Sequence, residues 1–183
     1  MNSFKFQYTT FSLDSSSIEL IEKILSENNE SYDQGTTGFL NQESDIRQSK
    51  IRFIKNSELF QLVGNYIQFA NSDCYWNLDV DFIEPLQDTL YEVGDFYDWH
   101  IDESDWVPNK RPGNRIRKIS FIILLNDDFE CGELEFQFDE KRLIDFKKGD
   151  IIVFQSDIPH RVRPVTSGKR RSLVGWVQGP AYK

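Results

Sequence analysis

A mainly β domain with helices packed outside it is the fold class this sequence predicts, and three observations carry that reading. From residue 73 onward the chain divides into short β-forming runs: LQDTLYE, FYDWHID, ISFIILL, ELEFQF, DIIVFQ and LVGWVQ. Turn signals at Gly94, Pro112-Gly113, Gly149-Asp150 and Gly168 punctuate them, as in a sandwich or closed barrel. Residues 1–72 carry helical periodicity instead, and so read as a support region flanking a β core at 73–183. At 183 residues the chain has the length of a single domain, 1–183.

Taken in order, residues 4–8, FKFQY, alternate as a strand does. Ser16 and Glu19 stand at capping-box spacing ahead of Ile21, Ile24 and Leu25, which predicts a short amphipathic helix. Residues 28–48 are polar, contain Gly35 and Gly38, and read as a long loop. Leu59, Leu62, Val63, Tyr66, Ile67 and Ala70 recur at helical spacing, a stripe that faces a core. Trp76, Leu78, Val80 and Phe82 then alternate like a strand. At least one of the loops at 28–48 and 103–115 is expected to cover a cavity mouth.

The formal net charge of -9 argues against general, phosphate-driven nucleic-acid binding, which needs a basic surface. Two local clusters qualify this: Lys110, Arg111, Arg115, Arg117 and Lys118, and Arg161, Arg163, Lys169, Arg170 and Arg171. Both read mainly as solubilising surface charge. Cys74 and Cys131 form no CxxC pair and read as free thiols in a reducing compartment. The N-terminus has no apolar signal core and no stretch approaches a membrane span, so the expected location is the cytoplasm, with no membrane partner.

The chemistry concentrates around the two histidines, His100 and His160. His100 and Asp102 are two apart, which on a strand puts both side chains on one face. A later strand end can bring in His160. Two imidazoles and a carboxylate on one face of a metal leave the opposite positions open, as oxygen chemistry on iron(II) needs. An HxD pair alone is a weak signal; the residues after His160 strengthen it. Arg170 lies past the turn at Ser167-Gly168 and returns on the neighbouring antiparallel strand, aimed at the same cavity. A guanidinium there can hold a carboxylate, and Ser172, on the same strand face, adds a hydroxyl. Arg171 points the other way and reads as a surface charge. The acidic run from Asp95 to Asp105 lacks the spacing and central glycine of a calcium loop.

The run YEVGDFYDWHID resembles the Y-x-x-G…H-x-D signature of the prolyl-4-hydroxylase-like 2-oxoglutarate/iron(II) dioxygenases. GDIIVFQSDIPHRVRPVTSGKRRS resembles their second signature, and FECGELEF their Gly-Gly turn. The likeness spans about residues 85–178. It implies a double-stranded β-helix, the jelly-roll or cupin-like core. It implies iron ligation by His100, Asp102 and His160, and a grip on 2-oxoglutarate by Arg170, with Tyr91 touching the cosubstrate. Two positions depart from the pattern: Cys131 replaces the first glycine of the turn, and Leu124 stands where some relatives place a tyrosine on the distal carboxylate. The second departure gives Tyr91 or Ser172 more to do.

The resemblance implies a hydroxylase of an unactivated C–H bond using iron(II), 2-oxoglutarate and dioxygen, with ascorbate able to maintain the iron. A prolyl residue in a protein or peptide is the first-choice substrate; a free amino acid or small metabolite is the alternative. Asp102 favours hydroxylation, since halogenating relatives lack that carboxylate. Two other classes compete: a cupin-like metal protein without oxygenase activity, which has no need of Arg170, and a nucleic-acid repair oxygenase, which the acidic charge disfavours. The sequence leaves the oligomeric state open.

Overall fold

The computed structural model describes residues 7–35, 45–102 and 115–182. In chain order these residues form β1 (Tyr8–Ser12), α1 (Ser15–Glu27), β2 (Asp33–Gln34), β3 (Arg47–Gln48), β4 (Lys50–Ile54), α2 (Ser57–Asp73) and β5 (Phe82–Ile83). Next come β6 (Leu86–Tyr91), β7 (Phe96–His100), β8 (Arg115–Leu124), β9 (Phe129–Cys131) and β10 (Leu134–Gln137). The chain ends in β11 (Lys141–Leu143), β12 (Asp150–Gln155), β13 (His160–Val162), β14 (Val165–Gly168) and β15 (Arg170–Pro180).

An eight-stranded major sheet runs β1-β12-β8-β15-β6-β4-β2, with β5 against β15; a five-stranded minor sheet runs β11-β10-β13-β7-β3, and β14 pairs with β9. The pairings are antiparallel. Strand parity divides the major sheet between two cores. Ile119, Phe121 and Ile123 of β8, with Ile151 and Val153 of β12, pack under Ile21 and Leu25 of α1 and Leu59, Val63 and Ile67 of α2. Ile122, Ile152 and Phe154 face the other way and meet Leu134, Phe136 and Val162 of the minor sheet. Two antiparallel sheets packed face to face, with helices on the outer face of one, make the jelly roll the resemblance implies.

The first half differs from its sequence reading. Its strands β1 to β4 join the sheets, so residues 1–72 are not a purely helical support. The N-terminal strand begins at Tyr8, and residues 4–6 lie outside the described ones. Asp14, not Ser16, caps α1: its carboxylate accepts from the Ser17 amide at 2.7 Å and from the Ser16 hydroxyl. A carboxylate is the stronger acceptor for the orphan amides of a helix start. α2 runs longer than 57–70, with Asn56 accepting from the amides of Glu58 and Leu59. Trp76, Leu78 and Val80 pack against the helical core, but only Phe82–Ile83 pairs as a strand. The expected loop 28–48 contains β2 and β3. Residues 36–44, within the first of the two loops, and 103–114, nearly all of the second, lie outside the described residues, as do Lys110 and Arg111.

Cys131 sits at φ +60, the left-handed region that favours glycine. The turn pattern's glycine is thus a conformational requirement, and Cys131 bears strain of about 1–2 kcal/mol. Cys131→Gly is expected to leave stability unchanged or raise it by up to about 1 kcal/mol, the glycine's extra unfolded-state freedom offsetting part of the relief. Urea denaturation measures this, and a loss above about 1 kcal/mol would show that the strain is not there.

Candidate metal centre and cosubstrate pocket

β7 and β13 are neighbours in the minor sheet, and their register sets His160 directly opposite His100. Asp102 lies two residues beyond β7, and its amide donates to the Ser156 carbonyl at 3.0 Å. The carboxylate lies 3.8 Å from His100 Nε2 through Oδ1 and 3.6 Å from His160 Nε2 through Oδ2. Among the described residues this is the one group of three metal-ligating side chains, with donor atoms all within 4.8 Å of one another. Each histidine turns Nδ1 to a backbone carbonyl, His100 to Asp98 and His160 to Ile158, both at 2.8 Å. Nδ1 therefore carries the proton and donates, which leaves the Nε2 lone pairs facing the Asp102 carboxylate.

Burial, then the neighbouring His160, pushes His100 down to about 3, although Asp102 acts in the opposite direction. Near pH 7 the ring is neutral, so its contact with Asp102 is a convergence of donors and not an ion pair. For Asp102 burial is the largest influence and raises the pKa, but His160, His100, Arg117 and the Ser120 hydroxyl together hold it below the ordinary value. A neutral imidazole and an ionised carboxylate are the forms that ligate a divalent cation. The metal-free protein is expected to lose stability as pH falls. The unfolded His100 titrates near 6.5 and the folded one near 3, so acid favours the unfolded chain across that window. The slope from this group is at most about 1.4 kcal/mol per pH unit. Chemical denaturation at stepped pH measures it; stability flat from pH 7 to 4 would refute the burial argument.

Arg170 opens β15 directly opposite Tyr91 at the end of β6. Its side chain is 1% exposed, and NH1 donates to Ser172 Oγ at 3.2 Å. NH2 is buried with no hydrogen-bond acceptor among the described residues. Burial depresses its pKa, opposed in part by Tyr91, whose ring centre lies 5.6 Å away. Tyr91 is itself buried, which raises its pKa and keeps the phenol protonated. Gly132 makes room for the Arg170 stem: a Cβ there would stand 3.1 Å from Arg170 Cδ and 2.9 Å from Val165 Cγ2. Leu124 is buried and pairs in register with Ser172, whose hydroxyl accepts from the guanidinium.

Arg171 points to the opposite face as strand parity requires, but it is not a free surface charge. It donates twice to the fully buried Asp88, at 2.9 and 2.7 Å. Five other described cluster members are paired too: Arg115 with Asp81, Arg117 with Glu84, Arg161 with Glu135, Arg163 with Glu133 and Lys169 with Glu92. Described charges neutralised in this way do not form a phosphate-binding surface.

Three residues escape the sequence reading. Tyr97 stacks on His100 with ring centres 3.5 Å apart, and the Arg47 guanidinium lies 4.6 Å from the Tyr97 ring centre. Trp176, on the cavity-facing parity of β15, lies 3.9 Å beneath the Arg117 guanidinium. Tyr97 stands three before His100 in sequence and could be found from that spacing; nothing marks Arg47, in a polar stretch, as a neighbour of the site.

The profile of the 2OG-Fe(II) oxygenase superfamily matches residues 86–178, the stretch that holds the triad and Arg170. The chain belongs to that superfamily, whose enzymes use iron(II), 2-oxoglutarate and dioxygen. It is 40% identical over 90 residues to a PKHD-type hydroxylase from Synechococcus sp. (strain CC9902), a match that covers 48% of this chain and 38% of that relative. The chain thus spans about two-fifths of that curated relative's length. Its fold is that of a Pseudomonas putida prolyl-4-hydroxylase, with a TM-score of 0.71 at 18% identity over 96% of this chain and 94% of that one. It is also that of a Trichoplax adhaerens prolyl hydroxylase in complex with a hypoxia inducible factor peptide fragment, with a TM-score of 0.67 at 19% identity, covering 93% and 83%. Among the described residues no helix is long and apolar enough to cross a membrane.

Proposed function

We propose that this chain is a 2-oxoglutarate- and dioxygen-dependent iron(II) hydroxylase of an unactivated C–H bond, with a prolyl residue of a protein or peptide as its substrate. The donor set suits the metal: two imidazole Nε2 atoms and one carboxylate converge, and they leave other positions for cosubstrate and oxygen. The observation that carries the reading is Arg170, a buried guanidinium with an orphaned NH2. A buried cation needs an anion, and the distal carboxylate of a five-carbon diacid fits that need. A metal protein without a carboxylate cosubstrate would have no use for it.

When bound, iron(II) with 2-oxoglutarate and dioxygen supplies one oxygen atom for the C–H bond, the cosubstrate leaving as succinate and carbon dioxide. This chain's residues do the remaining work. His100, Asp102 and His160 hold the metal. Arg170 and Ser172 fix the far end of the cosubstrate, and the protonated Tyr91 offers a donor beside it. Tyr97, stacked on His100, steadies that ligand's ring. The prolyl choice is supported by the prolyl hydroxylases that share the fold, one of them bound to a peptide fragment.

The test is incubation with iron(II), 2-oxoglutarate and proline-containing peptides or free amino acids, with succinate and substrate mass followed together. One added oxygen on a prolyl residue, with matching succinate, is the expected result. Oxygen added only to free amino acids would move the substrate to that class. No succinate under any condition would end the oxygenase reading.

A further inference from the structure

We infer that Arg47 is a positioning residue for the metal centre: held in place by Ser49 and Gly35, it fixes the Tyr97 ring, and Tyr97 in turn fixes the imidazole plane of His100. The inference rests on reading His100, Asp102 and His160 as the iron site.

Tyr97 and His100 are three apart on β7, a spacing that sends side chains to opposite faces of a regular strand. The pairing with β13 is irregular at this point. His160 and Val162, two apart, stand opposite His100 and Tyr97, three apart. The extra residue on β7 acts as a bulge does and brings both rings to one side. They stack with centres 3.5 Å apart and planes 10° from parallel. His100 has need of that neighbour. Its Nδ1 donates to the Asp98 carbonyl at 2.8 Å, which restrains the imidazole at a single atom. The torsion about Cβ–Cγ is soft and can still swing the plane, and the Nε2 lone pair that meets a metal lies in that plane. His160 has the rings of Phe154 and Phe136 around it, with centres 4.9 and 6.2 Å from its own. For His100 the parallel wall is Tyr97.

Arg47 settles Tyr97. It stands opposite Tyr97 in the pairing of β3 with β7, and its guanidinium carbon lies 4.6 Å from the Tyr97 ring centre. A cation over a phenol ring is attracted by the ring's negative face, most strongly where water is excluded. Arg47 is 8% exposed, and its Nε donates at 2.9 Å to the hydroxyl of Ser49, which is 1% exposed. That bond fixes where the guanidinium sits along the ring. Gly35 backs the bond from the other side. Its amide donates to the Ser49 carbonyl at 2.7 Å, and a Cβ at this position would stand 2.4 Å from Ser49 Oγ and 2.8 Å from Arg47 Nε. Glycine alone leaves room for the Arg47–Ser49 pair. A line of direct contacts therefore runs from Gly35 through Arg47 and Tyr97 to a metal ligand, and a change at its far end should be felt at the metal.

The experiment titrates Co(II) into the full metal-free chain and follows its visible ligand-field absorption, with thermal unfolding of each metal-free variant alongside. Tyr97→Leu should bind Co(II) about tenfold more weakly with a shifted band, the lower end of the usual scale for losing a ligand's outer support. Tyr97→Phe keeps the ring and should bind like the parent. Arg47→Ala should weaken binding about two- to fivefold, the scale of one cation–π contact, and shift the band in the same direction. Gly35→Ala, whose added Cβ would meet Ser49 and Arg47, should reproduce the Arg47→Ala band, and it carries the test if Arg47→Ala fails to fold. Parental Co(II) affinity and spectrum in Arg47→Ala and Gly35→Ala would overturn the proposal, even with Tyr97→Leu altered, since Tyr97 would then act without Arg47. So would a fall in metal-free unfolding temperature with Co(II) affinity and band unchanged, since that marks a packing role. Asp102→Ala separates the two readings. If it loses Co(II) while the Arg47 and Gly35 variants do not, only the positioning role fails; if it too binds like the parent, the triad reading fails with it.

Discussion

Arg170→Ala is expected to weaken 2-oxoglutarate binding about thirtyfold to several-thousandfold while leaving metal affinity at the parental level. The size comes from the burial of both partners. The guanidinium is 1% exposed, and a carboxylate bound against it would be as dry. Removing one member of such a pair costs about 2–5 kcal/mol, much of it for the charge left behind. Metal affinity should persist because Arg170 supplies no ligand atom; its nearest hydrogen-bonding neighbour is Ser172. Arg170→Lys should recover only part of the loss, since a point charge cannot reproduce the fork. The measurement is 2-oxoglutarate titration into the iron(II)-loaded protein without oxygen, followed by its visible charge-transfer band. Arg161→Ala is the fitting control, as that guanidinium is partly exposed and paired with Glu135. Unchanged cosubstrate affinity in Arg170→Ala would remove the assignment of the pocket.

Strand parity explains why so much of the site is legible in the chain. His100 and Asp102, and Arg170 and Ser172, are pairs two apart, so each needs only a local period to share a face. The turn at Gly168 brings Arg170 back toward the triad with no long-range knowledge. Parity fails where it must name a partner and not a side. It places Arg171 opposite Arg170 correctly, but it cannot say that Asp88, 83 residues earlier, waits there. It is equally blind to the first half of the chain. β2 and β3 are two residues each, too short to show a period, and β4 reads KIRFI with only Ile51 and Ile54 buried. Spacing misassigns the cap of α1 because Asp14, Ser16 and Ser17 all offer side-chain oxygens within one turn; acceptor strength chooses among them.

Asp88→Ala is expected to destabilise the protein by about 3–5 kcal/mol, the usual penalty for breaking a buried ion pair from one side. Asp88 is fully buried in β6 and accepts four hydrogen bonds: two from Arg171, one from Arg52 at 2.9 Å and one from the Tyr32 hydroxyl at 2.7 Å. Its hydrogen bond and charge raise the pKa of Arg171, while burial acts against them. Without the carboxylate two guanidinium groups would face each other with nothing between. The damage would spread, because Arg52 also donates to the carbonyls of Leu25 and Asn28 at the end of α1. Four parts of the fold therefore meet at one side chain: the end of α1 through Arg52, the segment before β2 through Tyr32, and strands β4 and β15. For a chain of this size the loss corresponds to a fall in unfolding temperature of roughly 6–20 °C. Asp88→Asn, which keeps the shape and loses the charge, should cost less. The cluster lies on the face of β15 away from Arg170, so metal affinity of the folded Asp88→Ala protein should stay parental. Thermal and urea unfolding of the metal-free variants measure the first claim, and Co(II) titration the second. A loss below about 1 kcal/mol would mean that water replaces the carboxylate and the cluster is a surface ion pair of ordinary worth.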